Sequence, residues 1–223
     1  MDTIRTDFDR LTAFDGGNGW NHNDHHHSYL LRYVPEPCVE SLDIGCGTGS
    51  FARLLSRRSK HVLGLDLSPE MVRIARERTA DFPNIEYRVA DVLESFPAQR
   101  FDCIASIATL HHLPLEMMLA KMKAALNPGG VLLILDLYTI KGLVDILMSL
   151  VAFPLNLIFK LVKSRRLHTT DAERRAWDEH GKHDHYLHVD TVQRLCWDLL
   201  PGARVKRHLF WRYSIVWQKP AEN

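Results

Sequence analysis

An α/β fold built on a mostly parallel sheet with both faces covered is predicted by three features of this sequence. Short apolar runs at residues 40–45, 61–66, 84–90, 101–106 and 131–136 alternate with stretches of helical spacing, as parallel strands joined by crossover helices do. The first run leads into Asp43-Ile44-Gly45-Cys46-Gly47-Thr48-Gly49, a glycine-rich passage from strand to helix. Two further strand-like runs, at about 203–211 and 213–218, are joined so tightly that they should pair antiparallel.

Each element has its own signal. Residues 50–58 place Phe51, Leu54 and Leu55 on one helical face. Residues 61–66, His-Val-Leu-Gly-Leu-Asp, read as a buried strand. Ser68-Pro69-Glu70 reads as a helix start, with serine as N-cap and proline in the first turn. Met71, Ile74, Ala75 and Arg78 continue that helix. Residues 84–90 form a third strand ending at Asp91, and residues 101–106 a fourth. A helix over 114–126 stops at Asn127-Pro128-Gly129-Gly130. Residues 131–136 give the fifth strand, 191–200 a last helix, and Pro201-Gly202 a turn.

Composition narrows the class. The chain has 223 residues, the size of one domain, and a net charge of +1, which gives no field to draw it to nucleic acid. Four cysteines, Cys38, Cys46, Cys103 and Cys196, show no paired spacing, so reduced thiols in a cytoplasmic setting are expected. The first ten residues lack the apolar centre of a secretory leader.

The glycine turn carries the chemistry. Glycine lets the backbone turn sharply and a ligand approach closely, and the helix start beyond it offers free N–H groups to an anionic end. The dinucleotide pattern G-x-G-x-x-G would need glycine at Ser50. The D-x-G-x-G-x-G spacing instead resembles the class I S-adenosylmethionine-dependent methyltransferases, over residues 40–136 and again over 190–218. That resemblance implies a Rossmann-like, doubly wound, seven-stranded sheet with one reversed strand in a C-terminal hairpin. It also implies S-adenosylmethionine as cofactor, held by Asp43 and the loop Gly45, Cys46, Gly47, Thr48 and Gly49. Asp66, at the end of the second strand, would accept from both ribose hydroxyls, and Leu67 and Met71 would pack on the adenosine. Asp91 and Val92 would meet the adenine, and the backbone of Ser106 and Ile107 would face the methionine part. Asp43 is equally readable as a cap on the loop amides. The family's L-x-P-G-G turn matches Leu126 to Gly130.

Methyl transfer from a sulfonium requires alignment and exclusion of water, and a base only when the acceptor is protonated. His111 and His112, in Ala-Thr-Leu-His-His-Leu after strand four, are the candidate bases; packing against the cofactor or capping the helix at Pro114 is the competing reading. Two histidine clusters stand out: His22, His25, His26 and His27, and His180, His183, His185 and His188. No C-x-x-C or H-E-x-x-H accompanies either, so no metal site is assigned, and they are read as the rim of a pocket. The stretch Trp20 to His26 resembles the segment that lids the cofactor in related enzymes.

Between strand five and the last helix lie more than fifty residues. In residues 142–162 the polar Asp145, Ser149 and Asn156, with Lys160 and then Lys163, fall on one helical stripe, and Pro154 should kink or split the helix. Two amphipathic pieces with a wide apolar face are expected. They would cap a hydrophobic substrate pocket or lie at a membrane surface, helped by Lys163, Arg165 and Arg166.

The organisation that follows is a single domain: residues 1–38 as lid, 39–136 as cofactor-binding core, 137–189 as helical cap, and 190–223 as last helix and hairpin. The expected function is methyl transfer to oxygen, nitrogen or carbon of a small lipophilic or aromatic acceptor. An NAD-dependent oxidoreductase and a non-catalytic cofactor-binding regulatory partner are the alternatives. Nucleic acid is excluded as substrate: there is no basic stripe, and Ser106-Ile107-Ala108-Thr109 stands where N-P-P-[YW] would be.

Overall fold

The computed structural model describes residues 20–164 and 186–221, together with 5, 6, 9, 175, 179 and 181. Seven strands, β1 (Glu40–Ile44), β2 (His61–Asp66), β3 (Ile85–Val89), β4 (Phe101–Ile107), β5 (Leu126–Leu137), β6 (Arg204–His208) and β7 (Arg212–Gln218), form one sheet in the order β3-β2-β1-β4-β5-β7-β6. The pairs among β1 to β5 are parallel. Only β7 runs the other way, between β5 and β6. The chain winds outward from β1 in one direction and from β4 in the other, so a crevice opens beyond the carboxyl ends of these two strands.

Six helices accompany the sheet among the described residues: α1 (Asp24–Leu31), α2 (Ser50–Leu55), α3 (Pro69–Arg78), α4 (Leu115–Ala125), α5 (Leu143–Phe159) and α6 (Val189–Leu199). Strand alternation divides the core in two. Leu42, Ile44, Leu132 and Ile134 pack with Met118, Leu119 and Met122 of α4 and Val192 and Cys196 of α6. Cys103, Ala105, Leu133 and Leu135 point to the opposite side and pack with Leu30 of α1, Phe51 and Leu55 of α2 and Val72 of α3. The period-2 geometry of a strand makes this division automatic once each strand is covered twice.

Three sequence expectations need correction. The helix after the glycine loop ends at Leu55 instead of 58. Strand five begins at Leu126 and takes in the Asn127 to Gly130 turn, because Gly129 N–H bonds to the Lys219 carbonyl at 3.0 Å and Lys219 N–H to the Gly130 carbonyl at 2.8 Å. Helix α5 runs unbroken through Pro154 and widens into a π turn at Lys160–Ser164. Proline removes the bond to the Leu150 carbonyl, and both residues lie on an exposed face, where that loss costs least.

Candidate active site

The glycine loop crosses the carboxyl end of β1, and all three of its glycines have left-handed φ angles. Two of them are decisive. A Cβ on Gly45 would lie 2.0 Å from Thr109 Oγ1, so the loop and the segment after β4 can only close together without a side chain there. A Cβ on Gly47 would meet nothing within 4 Å: the side-chain side of its Cα faces open space, in a conformation that other residues rarely adopt. Beneath the loop Asp43 is 1% exposed, and neither of its oxygens is hydrogen-bonded among the described residues. Burial first, and the neighbouring Asp66 charge second, push its carboxyl up to about 7; the Ala52 amide opposes this without completing a bond. A buried carboxylate without a partner is costly. The chemistry that would satisfy it is a cation.

The loop amide is met by a different acid. Asp66 Oδ2 accepts Gly47 N–H at 2.8 Å and Oδ1 accepts Ser68 N–H at 2.9 Å, which ties the end of β2 to the loop. The cap on the loop thus comes from Asp66, and the reading of Asp43 as that cap is corrected. Ser68 Oγ takes the Met71 N–H at 3.0 Å as the N-cap of α3 and also bonds Asp9. Leu67 and Met71 are half-buried beside it. Asp91 Oδ1 accepts Leu93 N–H at 2.9 Å, and Val92 is buried. Ser106 Oγ, fully buried, donates to the Ile44 carbonyl at 3.0 Å and locks β4 to β1 where the winding reverses; half-buried Ile107 follows. The thiol of Cys46 is buried and pushed well above its usual range by that burial, so the residue contributes backbone and no nucleophile. Half-buried Thr48 lends its carbonyl to Arg53 at 2.9 Å.

Beyond β4 the chain makes a left-handed turn at Ala108, with φ 51°, anchored by its N–H to the Leu135 carbonyl at 2.7 Å. This conformation costs an alanine about 1–2 kcal/mol, and it delivers His111. Asp136, at the end of β5 and 1% exposed, holds that histidine twice: Oδ2 accepts the His111 backbone N–H at 2.9 Å and Oδ1 lies 2.6 Å from Nδ1. The His112 ring packs against it at a tilt of 45°, with ring centroids 4.0 Å apart, and the Tyr186 ring centroid lies 5.3 Å away. Arg212, buried and pulled down to about 10 chiefly by that burial, stays charged at neutral pH; its Nε donates to Asn23 Oδ1 at 2.7 Å. Sequence reasoning missed Asp136, Arg212 and Tyr186. Asp136 had a signal, since it is a fourth carboxylate at the end of a parallel strand after Asp43, Asp66 and Asp91. Arg212 and Tyr186 had none.

The first histidine cluster takes part in an aromatic layer. His22 Nε2 lies 2.8 Å from Asn156 Oδ1, His26 Nε2 lies 3.1 Å from the Leu209 carbonyl, and Phe210 packs among Trp20, His22 and His25. Burial lowers His26, His27 and His208 to about 4, so all three are neutral at pH 7. Of the second cluster His188 lies within hydrogen-bonding distance of the Thr139 carbonyl, at 3.2 Å, while His180, His183 and His185 lie outside the described residues, as do Arg165 and Arg166. Among the described residues no group of three or more histidine, cysteine or acidic side chains is arranged to hold a metal ion.

A family described as methyltransferase domain matches residues 42–134, the stretch from β1 to β5 that carries the loop and the strand-end acids. An uncharacterized methyltransferase of Mycobacterium tuberculosis is 30% identical over 204 residues, covering 90% of this chain and 98% of the relative. A demethylmenaquinone methyltransferase of Tropheryma whipplei is 36% identical over 98 residues, 44% of this chain and 41% of that protein. The N-methyltransferase NodS of Bradyrhizobium japonicum, solved with S-adenosyl-L-homocysteine, shares the fold with a TM-score of 0.60 at 20% identity, over 88% of this chain and 87% of the other. The orphaned Asp43 and the open cradle at Gly47 fit a cofactor that carries positive charge, the spacing that set the nicotinamide alternative at a disadvantage now has a near-full-length relative behind it, and the chain belongs to the class I S-adenosylmethionine-dependent methyltransferases.

Proposed function

We propose that the protein methylates oxygen, nitrogen or carbon of a small lipophilic or aromatic acceptor, with His111 as general base. The pairing of His111 with Asp136 carries this reading. Asp136 accepting from Nδ1–H would hold the imidazole in one tautomer and leave Nε2 with its lone pair, the arrangement a histidine base needs. Asp43 and the Gly45 to Gly49 loop would hold the methionine end of S-adenosylmethionine. Asp66 would turn one acceptor lone pair to the ribose, with Leu67 and Met71 against the adenosine and Asp91 and Val92 at the adenine. The cofactor supplies an activated methyl group on a sulfonium. His111 Nε2 would take the proton that the acceptor loses on methylation. His112, packed on His111, keeps that ring in place.

The partial match to a demethylmenaquinone methyltransferase supports an apolar, phenol-like acceptor. Four free buried cysteines support a reducing, cytoplasmic setting. The test is a screen of apolar phenols and quinols for methyl transfer, followed by His111→Gln. Turnover should fall about 10²- to 10⁴-fold while S-adenosylhomocysteine still binds. Full turnover in the doubly substituted His111→Gln, His112→Gln protein would remove the base and leave the cofactor assignment standing.

A further inference from the structure

Helix α5 is built inside out. The stripe it turns to the domain is polar. Asp145, 2% exposed, accepts Lys141 N–H at 2.8 Å and forms an ion pair with Arg207 at 3.2 Å. Ser149 Oγ donates to the Asp145 carbonyl at 2.7 Å and accepts Trp211 Nε1 at 3.1 Å. Asn156 Oδ1 accepts Trp20 Nε1 at 2.8 Å. The side turned to solvent is apolar: Leu143 is 70% exposed, Leu150 66%, Phe153 69% and Val162 70%, with Ile146 and Leu157 between them. The segment Leu143–Lys163 contains an 18-residue stretch with a mean hydropathy of 1.8, of which only 11% is buried. An exposed apolar surface of this extent marks an interaction site.

Charge selects the partner. The described flanks carry Lys141, Lys160 and Lys163, while the one acid between them, Asp145, is turned inward. We propose that α5 seats the protein on an anionic lipid bilayer, with its axis in the plane of the interface, its apolar side at the acyl boundary and the catalytic domain on the aqueous side. A second copy of this chain fits less well, because antiparallel two-fold pairing would bring the basic end of one helix over Lys141 of the other. A span is excluded by the polar stripe, whose bonds to Arg207, Trp211 and Trp20 would have to be broken and left unsatisfied in hydrocarbon. The proposal goes beyond the methyl-transfer reading and does not depend on it.

The test is co-sedimentation of the full chain with vesicles of phosphatidylcholine alone and of phosphatidylcholine with phosphatidylglycerol, at low and high salt, with sedimentation velocity on the lipid-free protein. We expect partition into the anionic vesicles, weakened by salt and reversed by alkaline carbonate. Leu150→Gln with Phe153→Gln should lower that partition at least tenfold while the melting temperature in solution and S-adenosylhomocysteine binding stay unchanged. Lack of partition into either vesicle overturns the proposal. So does pelleting that resists alkaline carbonate, which means a span, or a dimer that the same two substitutions dissolve.

Discussion

Helix α4 and helix α5 have similar apolar content and opposite fates. Leu119 of α4 is fully buried between the sheet and α6, whereas Leu150 of α5 is 66% exposed. Both helices show a stripe at helical period. In α4 the apolar stripe faces the sheet because β1, β4 and β5 present an apolar surface there. In α5 the polar stripe faces inward because Arg207, Trp211 and Trp20 present polar partners. Amphipathicity divides a helix into two sides, and the neighbours decide which side is in.

The most direct way to break this contrast is to truncate the same residue in both places. Leu119→Ala should cost about 2–5 kcal/mol, read by urea denaturation, because it opens a cavity in a packed core. Leu150→Ala should change stability by less than about 0.5 kcal/mol. Equal losses would mean that α5 packs like a core helix.

The histidine layer beside α5 sharpens the contrast through pH. His26, His27 and His208 fall to about 4 in the folded protein against an ordinary 6.5. Their folded values are depressed, so in the window between 6.5 and 4 the unfolded chain binds more protons, and their contribution to stability is full above 6.5 and lost as pH falls to 4. Asp43 acts oppositely: its folded value is raised to about 7 from 3.8, so its contribution is lost as pH rises across that range. Burial lowers His22 and His25 as well and raises Asp66 beside Asp43, so five lowered histidines stand against two raised acids, and a net loss on acidification should be seen as a falling melting temperature from pH 6.5 to 4. A flat or rising curve would contradict burial of the neutral rings.

On the site side, Gly47→Ala should destabilise the free protein by about 1–2 kcal/mol through left-handed strain. It should also weaken S-adenosylhomocysteine binding by calorimetry beyond what strain explains, since its methyl group enters the open cradle. An unchanged Kd would show that the cradle is not used. Asp43→Asn is the subtlest change. In the native protein a cationic ligand should release a proton from Asp43 near pH 7, so affinity should rise with pH through that value and the heat should depend on the buffer. In the variant that slope should vanish. A slope that persists would assign the proton to another group.

Much of this was legible beforehand. The strands announced themselves as apolar runs of fixed length, and the glycine spacing together with the acids closing the strands pointed to the cofactor. In the sequence the acid nearest the loop amide is Asp43, whereas the structure gives the cap to Asp66, because two strands side by side bring together residues that the sequence keeps apart. The base candidates were named as a pair. Only the approach of Asp136 across the β4–β5 ladder separates His111 from His112.

The class of fold, the order of its elements and the family are legible in the chain alone, because period, turn chemistry and glycine spacing are local properties that need no partner. The tertiary structure decided what depends on through-space neighbours. It chose which acid caps and which stands unpaired, it singled out one histidine by the carboxylate behind it, it admitted Pro154 into a continuous helix, and it turned the apolar side of α5 outward. Hydrogen bonding and desolvation act over a few ångströms of space between residues far apart in the chain, and a linear pattern does not contain that distance.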